Sequence, residues 1–258
     1  MPDHRALDAI LQPGGITSLF QPICAVDNGH WSIASFECLS RGPKGTNFES
    51  ANVLFDYVRL KREETLVDRA CITTALAAAR SLPPDTHLGI NVHASTLGRD
   101  PGFVDFLRAA ADANGVAFHR LTIEIVEHAP PWDGLAFLSM LDRLRNHGAR
   151  IALDDVGLGQ SNFKMLLDVH PDFMKIDRYF IEHCATDTNR QAVIEVVTRL
   201  AHRFGAHVVA EGVEDEATVR ILKLLGITLM QGFYFSEPVD VHEVPALYES
   251  ARTNLPRP

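Results

Sequence analysis

Apolar runs recur along this chain, and each carries one charged or amide residue at or near its end. The seven are Glu37 in SIASFECLSR, Asn91 in HLGINVHA, Glu124 in LTIEIVE, Asp154 in RIALDDVG, Lys175 in FMKID, Glu211 in HVVAEGVE and Gln231 in LMQGFYF. A polar group left alone in a buried strand costs several kcal/mol, so seven such residues imply convergence on one site.

Between the runs lie helical patterns closed by glycine. FVDFLRAAADAN ends at Gly115, LAFLSMLDRLRNH at Gly148, AVIEVVTRLAHRF at Gly205 and DEATVRILKLL at Gly226, each before the next apolar run. Glycine fits the left-handed residue that closes a helix, where a side chain is strained. In the third of these helices Val193, Val196, Val197, Leu200 and Phe204 predict one apolar stripe for packing on a sheet. Upstream, LFQPICAV and WSIASFECLS are separated by the turn-like DNGH, and helical stretches follow around 51–62 and 65–81. Strand centres fall near 22, 36, 90, 124, 153, 175, 209 and 232.

Eight strands with intervening helices predict an α/β fold of the (β/α)8 barrel type, with its site at the C-terminal strand ends. The first two strands are joined too tightly for a parallel crossover, so the first is expected to be antiparallel. An open doubly wound sheet is the alternative, but no Gly-rich nucleotide fingerprint follows any strand.

Composition narrows the partners. With 258 residues, 46% hydrophobic and 22% charged, one domain with a sizeable core is expected. The net charge of −9 and the absence of a basic run argue against a nucleic-acid polymer. Cys24, Cys38, Cys71 and Cys184 lack CxxC spacing, which suits a reducing cytoplasm. No leader-like or membrane-length apolar stretch is present, so a soluble chain without a membrane partner is expected.

Suppose Glu37, Glu124, Asp154, Asp155 and Glu211 share the barrel mouth. Two carboxylates about 4 Å apart repel by about 4 kcal/mol at an effective dielectric near 20, and one lysine cannot neutralise five acids. The cluster calls for cations, and oxygen donors including Asn91 suit Mg2+ or Mn2+ better than zinc. Two such ions activate water and stabilise the leaving oxygen in phosphoryl-ester hydrolysis. Lys175 could hold the water or a phosphate oxygen, and Arg41 could grip phosphate through its fork. Taken singly, Glu37 or Glu211 reads as a salt-bridged barrel residue, Gln21 and Gln231 as interior amides, and Arg41 as a surface ion pair. The histidines, including His93 and His128, read as solvated or core-satisfied. Cys38 reads as a small core residue.

These residues also carry a resemblance. ECLSR resembles the signature of the EAL family of bacterial cyclic di-GMP phosphodiesterases, with Cys38 in place of Ala. The likeness runs in order through QPI, SRGPKGT, INVHAS, EIVEH, DDVGLG, KID, AEGVE and QGFYFSEP. It covers about residues 16 to 248, which sets expected divisions of 1–15 as an extension, 16–248 as the barrel and 249–258 as a tail.

The resemblance implies a barrel with an antiparallel first strand and metal-dependent hydrolysis of cyclic di-GMP to linear pGpG, with Mg2+ or Mn2+, two ions per site. By motif, Glu37, Asn91, Glu124 and Asp154 are similar to ligands of the first ion and Asp155 to a ligand of the second, with Asp154 shared. Glu211 is similar to the general base or a second-ion ligand, Lys175 to the catalytic lysine, and Gln231 to its water or metal-site partner. Gln21 and Arg41 resemble nucleotide contacts, and Glu127 and Glu214 outer-shell residues. The loop DDVGLGQSN departs from the common DDFGTGYSS, the loop that links the second-metal site to the dimer surface, and a homodimer is implied. Degenerate dinucleotide receptors of the family, and a different metal-dependent barrel enzyme such as an enolising one, are the rival readings.

Overall fold

The computed structural model describes residues 4–27, 29–126, 134–156 and 163–253. Eight strands close into a barrel: β1 (Thr17–Asp27), β2 (His30–Arg41), β3 (Leu88–His93), β4 (Leu121–Val126), β5 (Arg150–Val156), β6 (Phe173–Ile176), β7 (His207–Ala210) and β8 (Leu229–Met230). β1 runs antiparallel to both β2 and β8, and the other neighbours pair in parallel. The expected barrel and its antiparallel first strand are therefore the observed ones.

Strand alternation sorts the side chains. Ile123 and Ile125 of β4, Ile151 and Leu153 of β5, Met174 and Ile176 of β6, and Val208 and Ala210 of β7 belong to the main apolar core beneath the helices. The residues between them, Glu124, Ala152, Lys175 and Val209, face the barrel interior and are buried there. Period two therefore places the lone polar residues of successive strands on a common inward face. A smaller core, with Ile10, Ile16, Leu54, Val58, Val67 and Cys71, packs the N-terminal helix His4–Leu11 against helices Ala51–Lys61 and Glu64–Ala79.

The helix-closing glycines 115, 148, 205 and 226 all adopt positive φ, and Gly205 caps Thr188–Phe204 by donating its N–H to Ala201 O. The stripe on that helix differs from expectation. Val193 and Val196 are 39% and 64% exposed, whereas Ile194 and Ala201 are fully buried with Val197, Leu200 and Phe204 against the core. The true stripe is centred on 194, 197, 201 and 204, rotated away from the valine pair at 193 and 196. β8 also ends earlier than its expected centre near 232. At Gly232 the chain approaches Val213 so closely that an added Cβ would lie 2.1 Å from Val213 O.

Candidate functional site

The inward-facing acids gather round Lys175. Its Nζ lies 3.0 Å from Glu37 Oε2, 2.6 Å from Glu124 Oε2, 2.7 Å from Glu211 Oε1 and 3.6 Å from Asp154 Oδ1. Sheet register brings them together: Gln21 is opposite Glu37 and Asn91 opposite Glu124. Lys175 is 1% exposed, and burial disfavours its charge, but four carboxylates outweigh that and raise its pKa well above the usual lysine value. Its ammonium donates to the carboxylates around it.

The acids divide in their response. Burial alone would raise Glu37, yet Lys175 with hydrogen bonds from Asn91 and Gln231 holds it below the usual carboxylate range. Burial pushes Glu124 up to about 8 despite Lys175. Burial, with neighbouring acids, also holds Asp154 above its ordinary value and Glu211 well above it. Asp155 rises to about 6 through burial, Asp154 and Asp177.

A strand irregularity builds the next feature. The register of β5 with β6 shifts between Leu153 and Val156, and Asp155 takes φ +51°. Such a bulge re-aims side chains, here letting two consecutive carboxylates serve one site. Oxygens of Asp154, Asp155 and Glu211 lie within 4.8 Å of one another, an arrangement able to hold a divalent cation. Asn91 Nδ2 donates to Glu37 Oε1 at 2.8 Å, which leaves its carbonyl oxygen as a further hard donor.

An amide chain supports the floor. Gln231 Nε2 donates to Glu37 Oε2 at 2.8 Å and to Gln21 Oε1 at 2.9 Å, and Gln21 Nε2 donates to Ser236 O at 3.1 Å. Gln21 is thus buried with its amide committed to that chain. Gln231 Oε1 is buried without a hydrogen-bond partner, an acceptor that suits a water or cation at the metal-site position.

Two lobes open at the mouth. One, of about 450 Å³, is lined by Glu37, Arg41, Asn91, His93, Asp154 and Asp155. The other, of about 290 Å³, is lined by Gln21, Arg178, Glu211, Glu214, Gln231 and Phe233. Arg41 Nη1 donates to Ser40 O at 3.0 Å. Glu214 pairs with Arg178 at 2.9 Å on the rim. Arg178 lies over Gly212, where an added Cβ would meet its side chain at 2.4 Å. Glu127, His128 and the altered loop at 157–162 lie outside the described residues.

Sequence reasoning passed over several neighbours. Asp177, in the KID triplet, accepts from Tyr179 N at 2.6 Å and stands near enough to Asp155 to help raise its pKa. Arg178 brings a cation, and Phe233, 56% exposed, an aromatic ring to the mouth. Asp68, in a helix, accepts from His93 Nδ1 at 2.8 Å, His93 N at 3.0 Å and Thr96 Oγ1 at 2.6 Å. His93 is thereby a core-satisfied histidine at Nδ1.

Comparison with known proteins follows the same direction. The model of the EAL domain matches residues 4–238. PdeG of Escherichia coli, named as a probable cyclic di-GMP phosphodiesterase, is 35% identical over 163 residues, 63% of this chain and 32% of its own. The chain spans about a third or less of the length of the curated relatives it matches. Klebsiella pneumoniae BlrP1, in a manganese and cyclic di-GMP complex, superposes with a TM-score of 0.77 at 30% identity, covering 89% of this chain and 57% of that one. A standalone EAL protein of Vibrio cholerae, bound to c-di-GMP, gives 0.78 at 27% identity, covering 88% and 93%.

Proposed function

The chain belongs to the EAL domain family, and on that premise we propose that it hydrolyses cyclic di-GMP to linear pGpG with Mg2+ or Mn2+ at the barrel mouth. The observation that carries the reading is the convergence of Glu37, Glu124, Asp154 and Glu211 on one buried lysine, with Asp155 beside them.

The residues present fit divalent ions. Asp154, Asp155 and Glu211 would hold cations with Glu37, Asn91 and Glu124, and the acceptor left open on Gln231 belongs to the same donor set. When bound, such ions supply charge neutralisation for a phosphodiester and a water of lowered pKa. Lys175, whose charged form the surrounding acids favour, donates to water or to a non-bridging phosphate oxygen. Glu211, beside Asp154 and Asp155 and 2.7 Å from Lys175 Nζ, takes the role of proton acceptor by its place in the cluster. Arg41 and Arg178 lie on opposite lobes, where they bind phosphate, and Phe233 offers a face for stacking a purine.

No helix among the described residues is long and apolar enough to cross a membrane. A cytoplasmic setting belongs to this reading, since all four cysteines are free and buried. So does a homodimer, tested by sedimentation at several concentrations.

Incubation with cyclic di-GMP and Mg2+ is expected to yield pGpG, and EDTA to abolish its formation. Binding without product would instead make the chain a dinucleotide receptor. Full turnover in EDTA would refute the metal-dependent mechanism.

A further inference from the structure

We propose that the opposite, N-terminal end of the barrel holds a second ligand site, for a small organic anion with an apolar or aromatic body. A cavity of about 330 Å³ lies there, with Lys175 and Glu124 at its inner end. This volume is at the lower edge of ligand pockets, about 300–1,000 Å³. It suits a ring-sized acid rather than a dinucleotide.

The cavity arises from strand periodicity. Two residues before Asn91, Asp154 and Glu211 on the same inward faces stand Gly89, Ala152 and Val209. Barrel interiors of this type are normally filled by layers of bulky side chains. Here two of these positions are Gly and Ala, and an added Cβ on Gly89 would lie 1.8 Å from Glu124 Oε1, so the glutamate uses that space. Ile23 and Leu229 complete apolar walls.

Two residues further out, the rim is basic and aromatic. Arg150 lies with its guanidinium carbon 5.5 Å from the Phe173 ring centroid, and the His207 ring is 5.8 Å from that of Phe173. Arg150 donates to His87 Nδ1, which must be the acceptor because arginine has no acceptor atom. His87 is accordingly kept neutral, with burial and then Arg150 lowering its pKa.

Among the described residues Arg150 has no carboxylate within ion-pair distance. Glu124, the acid that lines the cavity, is held by Lys175 at 2.6 Å. Nearby, Asp172 accepts from Ile151 N at 2.7 Å. The arginine charge is therefore available to a ligand carboxylate through its paired N–H groups, and Phe173 and His207 offer ring faces beside it. His207 and Thr228 are exposed, so the cavity communicates with solvent.

Benzoate is the test probe, titrated into the full chain carrying ¹³C-labelled Ile, Leu and Val methyl groups. Saturable shifts are expected at Ile23, Val209 and Leu229, with none at Leu39 and Val92 of the mouth lobe. Benzamide, similar in shape but uncharged, should bind at least about tenfold more weakly, the cost of one charge-assisted interaction. Arg150→Met, which keeps an apolar contact to Phe173, should weaken benzoate by the same factor. Ala152→Leu, which fills the cavity and leaves the arginine, should remove the shifts, and it decides the matter if Arg150→Met does not fold. Non-saturating shifts, shifts at the mouth, equal affinity for benzamide or inorganic phosphate, or unchanged binding in either folded variant would each overturn the proposal.

Discussion

The two ends of one barrel are built from the same strand faces, two residues apart, and differ in chemistry. Toward the mouth β5 presents Asp154 and β7 leads to Glu211, whereas toward the other end the same faces present Ala152 and Val209, then Arg150 and His207. Two strand residues span about 6.6 Å, so acid and base are separated by barely two layers. Lys175 and Glu124 line the lower cavity and bond to the mouth acids or their lysine. Position along the barrel axis, more than choice of strand, therefore sets which chemistry a residue can join.

The largest effect is expected at the lysine that both ends share. Lys175→Ala leaves four acids without their common cation, and Glu211→Gln removes the proposed proton acceptor. Each should lower kcat by about 10²-fold or more while dinucleotide binding stays measurable, the pattern of interactions used in the transition state. Wild-type pGpG formation in either variant would remove its assigned role.

A step smaller is Gly89→Ala. A methyl there would meet the Glu124 carboxylate, whose place between the two cavities depends on the missing side chain. Overpacking of this kind costs about 1–3 kcal/mol, to be read from urea denaturation, together with weaker divalent-ion affinity. Unchanged stability and unchanged metal affinity would show that Glu124 has another rotamer of equal worth.

Much of the mouth was legible because a lone polar residue in an apolar run is a visible anomaly. Glu37, Glu124, Asp154, Lys175, Glu211 and Gln231 announce themselves in this way, and alternation explains why they meet. The lower cavity carries no such mark: Gly89 and Ala152 are ordinary residues in a strand, and only closure of the barrel makes their small size matter. Gln21 shows a further limit, because its commitment to Ser236 spans 215 residues of sequence. The register of Thr188–Phe204 is ambiguous in the sequence, since valines at 193 and 196 match helical spacing as well as Ile194 and Ala201 do. Asp68 and His93 are 25 residues apart on a helix and a strand, and neither residue alone signals the pair.

Arg41 offers a test of whether binding and chemistry are divided within the mouth itself. It lines the lobe that holds Asp154 and Asp155 but lies outside the Lys175 ion-pair cluster. Arg41→Ala should therefore raise KM by about tenfold, the worth of one charge-assisted phosphate contact, with kcat nearly unchanged. A fall in kcat without a KM effect would move Arg41 into the transition-state machinery.

The gentlest test sets the acids of the mouth against pH in metal-free protein. Glu124, raised from 4.5 to about 8, and Asp155, raised from 3.8 to about 6, keep protons in the folded state that the unfolded chain has already released. Asp154 and Glu211 shift the same way. Stability falls with rising pH wherever the folded state binds more protons, so it should decline between about pH 4.5 and 8 in EDTA. His93, raised by Asp68 against the burial that lowers it, adds to the decline above 6.5, while lowered His87 opposes it near that pH. Glu37, held low, contributes stability already present across this window, and raised Lys175 titrates above it. Urea midpoints at pH 5 and pH 8 should therefore differ in favour of the lower pH, Glu124→Gln should flatten the slope between 6 and 8, and Mg2+ should restore stability most at pH 8. That last effect follows because cations replace the missing protons among the same oxygens. A flat or rising profile in EDTA would mean that the acids already share enough charge with Lys175 to ionise freely, and the contrast between the two ends of the barrel would then be one of residue type without a matching difference in field.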